Sequence, residues 1–351
     1  MAHFGLHLTL VVPFIIAFIA SYVGIKAVME YMRDAGVIAV DHNKEDKPEL
    51  PSGLGIVLPI AIILALSSYI FGVTSGLYTP LIKINYIFAV TLSITLLSLV
   101  GFIDDLNVRK TFVKSTGMLD KRKGVRQKYK PLLVFIASIP FVVFINSIRV
   151  ETIFIPFIGF VNLGYIFPLV IVPLAVIFAS NAFNLLGGFD GLATGSALIL
   201  SSAFLIYAAL EHNYTGLLLS AVMTGSLIPF FIFNLYRSKI IPGDSFTLAF
   251  GGAFAEIAII SNMESFALVI FIPWIIEFIW HLLKRFDVTD LGKLNDDGTF
   301  RPPYGKKIYS WTHLIMNLKR CKEWEVSAYF WIVEILFVIL GFTLKMLHIV
   351  Y

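Results

Sequence analysis

Polar and apolar positions along this chain fall into long blocks. Apolar runs at roughly 6–29, 53–71, 82–103, 131–147, 165–183, 190–210, 215–235, 245–261, 264–283 and 325–347 alternate with shorter polar stretches, each near the ~20 residues that carry a helix across a bilayer. The pattern predicts an all-α integral membrane protein of about ten transmembrane helices. Residues 148–164 are apolar but short, and Pro156 and Gly159 punctuate them, so a small external hairpin is expected after the fourth helix. The first run has no Lys or Arg before it and no small-residue cleavage pattern after it, which predicts a retained helix. With no repeat, soluble module or low-complexity tract, residues 1–351 read as a single polytopic membrane domain.

Composition agrees with a lipid solvent: 58% of residues are hydrophobic, 14% are charged, and the mean hydropathy is +0.85. The lone cysteine, Cys321, excludes an internal disulfide, and no Cys/His cluster is present for zinc. The placement of charge is more informative than its sum. Of 27 Lys and Arg, 24 fall in the odd-numbered loops and 3 (Lys83, Arg149, Lys345) on the other side. The positive-inside rule then puts the odd-numbered loops in the cytoplasm and both termini outside, in a cell membrane or endoplasmic-reticulum type of bilayer.

One polar joint stands out between two apolar runs, Asn181-Ala182-Phe183-Asn184-Leu185-Leu186-Gly187-Gly188-Phe189-Asp190-Gly191-Leu192-Ala193-Thr194-Gly195. Hydrocarbon cannot satisfy its amides and carboxylate, so it needs a site or a watery surface, and by the charge rule it is cytoplasmic. Other polar signals sit at the same ends of the runs. Asp104-Asp105 close the third run, either as solvated helix-end residues or as a cation or proton-transfer pair, since acids are disfavoured at a helix C-terminus. Asp244, in Pro242-Gly243-Asp244-Ser245, opens the eighth run as a helix cap or as a ligand. Asp41-His42-Asn43-Lys44 and Pro51-Ser52-Gly53 lead into the second run, and Phe300-Arg301-Pro302-Pro303-Tyr304-Gly305-Lys306-Lys307 lies in the last loop. There the Lys and Arg serve topology or bind a diphosphate. Glu256 and Glu277 fall inside predicted spans, where an acid is functional or is paired with a hydroxyl or Arg. His281 reads as an interfacial residue, and Glu334 has no evident partner.

These parts suit Mg²⁺-assisted phosphoryl transfer at a membrane face, because Mg²⁺ takes oxygen ligands and keeps waters. Its charge, with Lys and Arg, stabilises phosphoryl oxygens. No Walker A loop, kinase signature or Rossmann fingerprint is present. Two other classes share some of these features. A polytopic transporter or flippase for anionic lipid-linked substrates would place polar groups at midplane in inverted repeats. A CDP-alcohol phosphatidyltransferase would need spaced aspartates on one helix pair, and the chain has none.

The order Asn43-Lys44 with Pro51-Ser52-Gly53, then Asp104-Asp105, then Asn181-x-x-Asn184-x-x-Gly-Gly-x-Asp190, then Gly243-Asp244-Ser245 resembles the polyprenyl-phosphate N-acetylhexosamine-1-phosphate transferases. That family includes phospho-MurNAc-pentapeptide translocase and dolichyl-phosphate GlcNAc-1-phosphotransferase. Gly187, where bacterial members usually carry Asp, and Arg301-Pro302-Pro303 make the chain more similar to the dolichyl branch of archaea and eukaryotes. It departs from that branch at Tyr304, where a second Arg is usual, and whether Lys306 or Lys307 substitutes stays open.

The resemblance implies that Asn184 and Asp244 bind Mg²⁺, with Mn²⁺ as the alternative. It implies that Lys114 and Arg301, with Lys306, contact the diphosphate, that Gly188 and Asp190 read the uracil, and that Leu50 and Asn181 line the substrate site. Asp104 and Asp105 would orient the acceptor phosphate or its proton. The implied partners are UDP-N-acetylhexosamine, polyprenyl or dolichyl phosphate and membrane lipid, with no nucleic acid and with a homodimer left open. The implied reaction passes GlcNAc-1-phosphate to the lipid phosphate and releases UMP, by direct displacement or through a phospho-Asp, as a first step of lipid-linked oligosaccharide assembly for protein glycosylation.

Overall fold

A computed structural model describes residues 2–106, 110–122, 124–125, 127–147, 151–155 and 158–350. Helix stands at every apolar run. The order is α1 (Ala2–Asp34), β1 (Ile38–Val40), β2 (Glu49–Pro51), α2 (Val57–Thr74), α3 (Ile84–Asp105), β3 (Lys110–Phe112), β4 (Leu119–Arg122), α4 (Lys130–Ser147), β5 (Thr152–Ile155) and β6 (Gly159–Asn162). Then come α5 (Val172–Phe183), α6 (Leu192–Leu210), α7 (Tyr214–Asn234), α8 (Asp244–Ile260), α9 (Glu264–Ile270), α10 (Ile272–Leu283), β7 (Lys293–Leu294), β8 (Phe300–Arg301), α11 (Trp311–Leu318) and α12 (Glu323–Met346).

Among the described residues, 7 helices are long and apolar enough to cross a membrane, or 8 if α9 and α10 form one broken span. The count of ten is therefore not reached by length and composition. Three runs fall short: the eighth forms a helix of only 17 residues, α8, and proline interrupts the other two. The run at 264–283 is bent by 61°, because Pro273 at the start of α10 has no N–H to donate and its ring opposes a continuous helix. The fifth run begins as a wide π turn over Phe167–Ile171, with Pro168 and Pro173 at its two starts, and only a shorter apolar helix follows. The hairpin after α4 forms as β5 paired antiparallel with β6. Its Pro156 lies outside the described residues, as do Arg109, Lys123, Arg126 and Arg149 of the charge count.

Helix α8 is the axis of the bundle. Every residue from Ser245 to Ile260 is buried, which a helix apolar on all faces requires. It packs on α3 and α5, while α1 lies on α2 and α7, and α12 on α6 and α9. Close approach at its N-terminus depends on two glycines. A Cβ on Gly101 of α3 would enter the Asp244–Ser245 backbone, and one on Gly55 would enter the backbone of Phe246. The first loop ends by pairing there too, with Ile241 N donating to Pro51 O (2.8 Å) and Gly55 N to Pro242 O (2.9 Å). The C-terminal ends of α3, α5, α7 and α10 and the N-terminal ends of α4, α6 and α8 thus meet around one cavity.

Candidate active site

The acid pair at the end of α3 divides its work. Asp105 is fully buried and turns to α8: its carboxylate accepts from Asp244 N (2.7 Å), Ser245 N (2.8 Å) and Ser245 Oγ (2.6 Å). It satisfies N–H groups that a helix start leaves open and meets the positive end of the dipole. Asp105 therefore holds Asp244 in place and does not line the cavity. Asp104 does. Its Oδ1 accepts from Val125 N (2.6 Å), and its Oδ2 takes Lys130 Nζ at 2.9 Å. The same ammonium reaches Asp244 Oδ2 at 2.6 Å, so Lys130, the first residue of α4, joins the ends of α3 and α8.

Asn184 is the C-cap of α5 and lines the same cavity. Its Nδ2 is buried without a partner, and among the described residues nothing bonds its Oδ1. Next along the joint, one oxygen of Asp290, Oδ2, accepts from both Gly187 N (3.0 Å) and Gly188 N (2.8 Å). Asn43 Nδ2 donates to Gly188 O (2.6 Å), which engages both backbone groups of Gly188 within the protein. A side chain at 188 would collide with Leu291 and Asp290.

Asp190 belongs to a buried ion cluster. Lys44 Nζ lies 2.7 Å from Asp190 Oδ2, 2.8 Å from Asp41 Oδ2 and 2.6 Å from Glu323 Oε2. Burial works against the Lys44 charge, but the Glu323 and Asp190 carboxylates outweigh it, and its pKa rises above the usual lysine range. Burial raises the Asp190 carboxyl, while Lys44 and the Ser238 N–H pull the other way. Asp190 Oδ2 also accepts from Ser238 N (2.9 Å), and among the described residues nothing bonds Oδ1. The three acids lie within 4.8 Å of one another and could ligate a metal, yet the ammonium already holds the centre.

The cavity has a volume of about 290 Å³ and brings together Asp104, Asn184, Gly188, Asp190 and Asp244 of the residues expected from sequence. The others lie elsewhere. Leu50 is buried in β2, and Asn181 turns back onto Ile177 O (2.8 Å) within α5. Arg301 and Lys306 are exposed and off the cavity wall. Lys114 is exposed in the turn of the β3–β4 hairpin. That hairpin fills the space between α3 and α4, so counting ten residues on from Asp104 lands on its tip, and the lysine at the cavity is Lys130.

Sequence reasoning also missed Asp290, Glu323 and the placement of His281. His281 lines the cavity rather than an outer interface, with Nε2 3.0 Å from Glu277 Oε1. Their spacing of four on one helix was the available signal. Glu256 meets the Ser93 hydroxyl, and Glu334 Oε1 accepts from Trp274 Nε1 (2.8 Å). Hydroxyl pairing was expected for the first, and the indole supplies the partner missing for the second.

The sequence profile of glycosyl transferase family 4 matches residues 87–262, from α3 through α8. A relative from Saccharolobus solfataricus is 32% identical over 343 residues, covering 96% of this chain and 97% of its own length. The chain belongs to glycosyl transferase family 4. That relative and one from Sulfolobus acidocaldarius (30% identical over 332 residues, 93% of each chain) are provisionally named UDP-N-acetylglucosamine–dolichyl-phosphate N-acetylglucosaminephosphotransferases. The phospho-N-acetylmuramoyl-pentapeptide-transferase of Shouchella clausii is 31% identical over 308 residues, 86% of this chain and 84% of its own. The family 4 match includes Asp104, Asn184, Asp190, Asp244 and Lys130, so the cavity is built largely from the matched segment.

Proposed function

We propose that the chain transfers GlcNAc-1-phosphate from UDP-GlcNAc to dolichyl or a related polyprenyl phosphate, releasing UMP, at the cytoplasmic membrane face. The names of its full-length relatives support the substrates and the reaction. One observation carries the reading: the ends of α3, α4, α5 and α8 deliver Asp104, Lys130, Asn184 and Asp244 to a single cavity. The excess of Lys and Arg in the odd-numbered loops supports its cytoplasmic side.

The donor set fits Mg²⁺. Two carboxylates and an amide oxygen that nothing among the described residues bonds are hard oxygen ligands at a partly open site, and among the described residues no cysteine lines it. Asp244, Asn184 and Asp104 would hold the ion, which when bound would neutralise charge on the donor's phosphoryl oxygens. Lys130 sits where it can leave its carboxylates for a phosphate oxygen. Asp190 Oδ1 is placed to accept the N3–H of uracil, while Lys44 and Ser238 fix the other oxygen. The Gly187–Gly188 backbone, pinned by Asp290 and Asn43, shapes the floor beneath the base.

Direct displacement fits better than a phospho-aspartate. Asp105 is committed to the start of α8, and Asp104, with one oxygen on Val125 N, would give the other to the ion once Lys130 turns to a phosphate. A phosphate monoester with a second pKa of about 6 is already largely ionised at neutral pH and needs no strong base. The test is UMP release by purified protein given polyprenyl phosphate, Mg²⁺ and a panel of UDP-sugars. Turnover with UDP-GlcNAc and its loss in Asp244→Ala are expected, and an inert wild type would overturn the reading. Rapid quench with donor labelled at the β-phosphate should leave no label on the protein, and trapped label would end direct displacement.

A further inference from the structure

The cavity wall is short of positive charge for a substrate with paired phosphates. Its acids include Asp41, Asp104, Asp190, Asp244 and Asp290, whereas among the described residues Lys130 is its only lysine and already spans two of them. Against that background His281 is unusual. It is 5% exposed, and it lines the cavity from the last turn of α10. Its Nε2 is fixed at 3.0 Å from Glu277 Oε1.

Glu277 is itself fully buried, and its second oxygen accepts from Trp311 N (2.9 Å), the first residue of α11. Both carboxylate oxygens are therefore committed, and the ring is oriented from behind. Among the described residues nothing bonds His281 Nδ1. A buried carboxylate that takes Nε2–H leaves the opposite ring nitrogen to face the cavity, an arrangement that orients an imidazole for work on a ligand. A purely structural pair would be expected to bond at both nitrogens, as His313 does with Thr289 O (2.8 Å) and Tyr309 N (3.2 Å).

We propose that His281, as an imidazolium whose Nε2–H is held by Glu277, donates its Nδ1–H to the donor's phosphates and adds a second cationic hydrogen-bond donor to that of Lys130. This deepens the transferase reading and rests on it. His281 is then a substrate-contacting residue and Glu277 a positioning residue. The other charged groups around it are His313 of α11, Asp290 of the last loop, and Lys130 with Asp104 and Asp244 on the cavity wall.

The experiment compares binding of UMP and of uridine to full-length protein in detergent with Mg²⁺, by titration calorimetry or competition. Wild type should prefer UMP. In His281→Ala that preference should fall about ten- to a hundredfold, the worth of one hydrogen bond to a charged group, while uridine affinity stays within twofold and so reports an intact fold. His281→Gln, which can still donate, should recover part of the loss. Glu277→Gln should weaken UMP by a smaller factor and leave uridine unchanged. An unchanged UMP-to-uridine ratio in His281→Ala, or equal loss of both ligands in His281→Ala and His281→Gln, would overturn the proposal. A wild type that binds neither ligand would overturn the transferase reading, and this assignment with it.

Discussion

Lys130→Met keeps most of the side chain's length and apolar stem and removes only its charge. In the wild type the ammonium sits 2.9 Å from Asp104 and 2.6 Å from Asp244, with Asp104 almost fully buried. Without it the two carboxylates, both held by the same ammonium in the wild type, face each other uncompensated, a like-charge repulsion of roughly 3 kcal/mol at an effective dielectric of 20. Losing one partner of a buried ion pair costs about 3–5 kcal/mol by a separate route, which agrees in size. The variant should therefore melt several degrees lower in EDTA by differential scanning fluorimetry. A divalent ion can take the place of the ammonium, and a site at a hundred times its Kd stabilises by about 2.7 kcal/mol. Mg²⁺ should accordingly raise the melting temperature of the variant more than that of wild type, where lysine competes for the same oxygens. Turnover should fall at least a hundredfold even in saturating Mg²⁺, because the phosphate contact is gone. Equal melting in EDTA, or equal Mg²⁺ shifts in the two proteins, would refute the claim that lysine and metal share these carboxylates.

Four further outcomes are expected. Gly101→Ala drives a methyl into the Asp244–Ser245 backbone, which cannot give way as a side chain could, and should cost at least ~1–3 kcal/mol and most activity, read by melting and UMP release. Lys114→Ala, on the exposed hairpin turn, should keep UMP release within about threefold of wild type. Lys44→Met leaves three acids around an empty centre and should lose about 3–5 kcal/mol, seen as poor recovery of monodisperse protein. Burial, with His281 adding to it and the Thr289 hydrogen bond opposing it, lowers His313 to about 4 from an ordinary 6.5. The unfolded chain then binds that proton first, so stability should fall as pH drops from about 6.5 to about 4, by up to ~3 kcal/mol, and His313→Asn should flatten that slope in a melting series.

The helices were legible because lipid imposes a coarse rule: about twenty apolar residues in a row have few alternatives to a helix. Helix formed along every run, in two pieces at 264–283, and Asn213, whose side chain accepts from Gly216 N, set the boundary between α6 and α7. What length alone hid was continuity. Pro273 stands in plain view, yet hydropathy does not register a missing N–H, and by hydropathy the run is one straight span. The strand pairs β1–β2, β3–β4 and β7–β8 were unreadable for another reason. They are two to four residues long, too short for an alternation to declare itself.

The site was half legible, and the division follows the physics. Asp104, Asn184, Gly188, Asp190 and Asp244 sit at helix ends, where an abrupt change from apolar to polar advertises a purpose. Lys44, Glu323 and Asp290 acquire their roles only through distant partners: Lys44 meets Asp190 and Glu323, and Asp290 meets the Gly187–Gly188 backbone. In sequence each looks like an ordinary solvated loop charge, which is the commoner fate of Lys and Asp. The same reasoning explains the displacement of Lys114 by Lys130. A basic loop residue is over-determined by topology, since the positive-inside rule calls for it whether or not it touches phosphate. Only the fold separates the two, by putting a hairpin between α3 and α4 and returning the first residue of α4 to the acids at the end of α3. Charge in a membrane enzyme is therefore a weak sequence signal for catalysis where it is abundant, and it becomes a strong one only where the fold sets it between two carboxylates, as at Lys130.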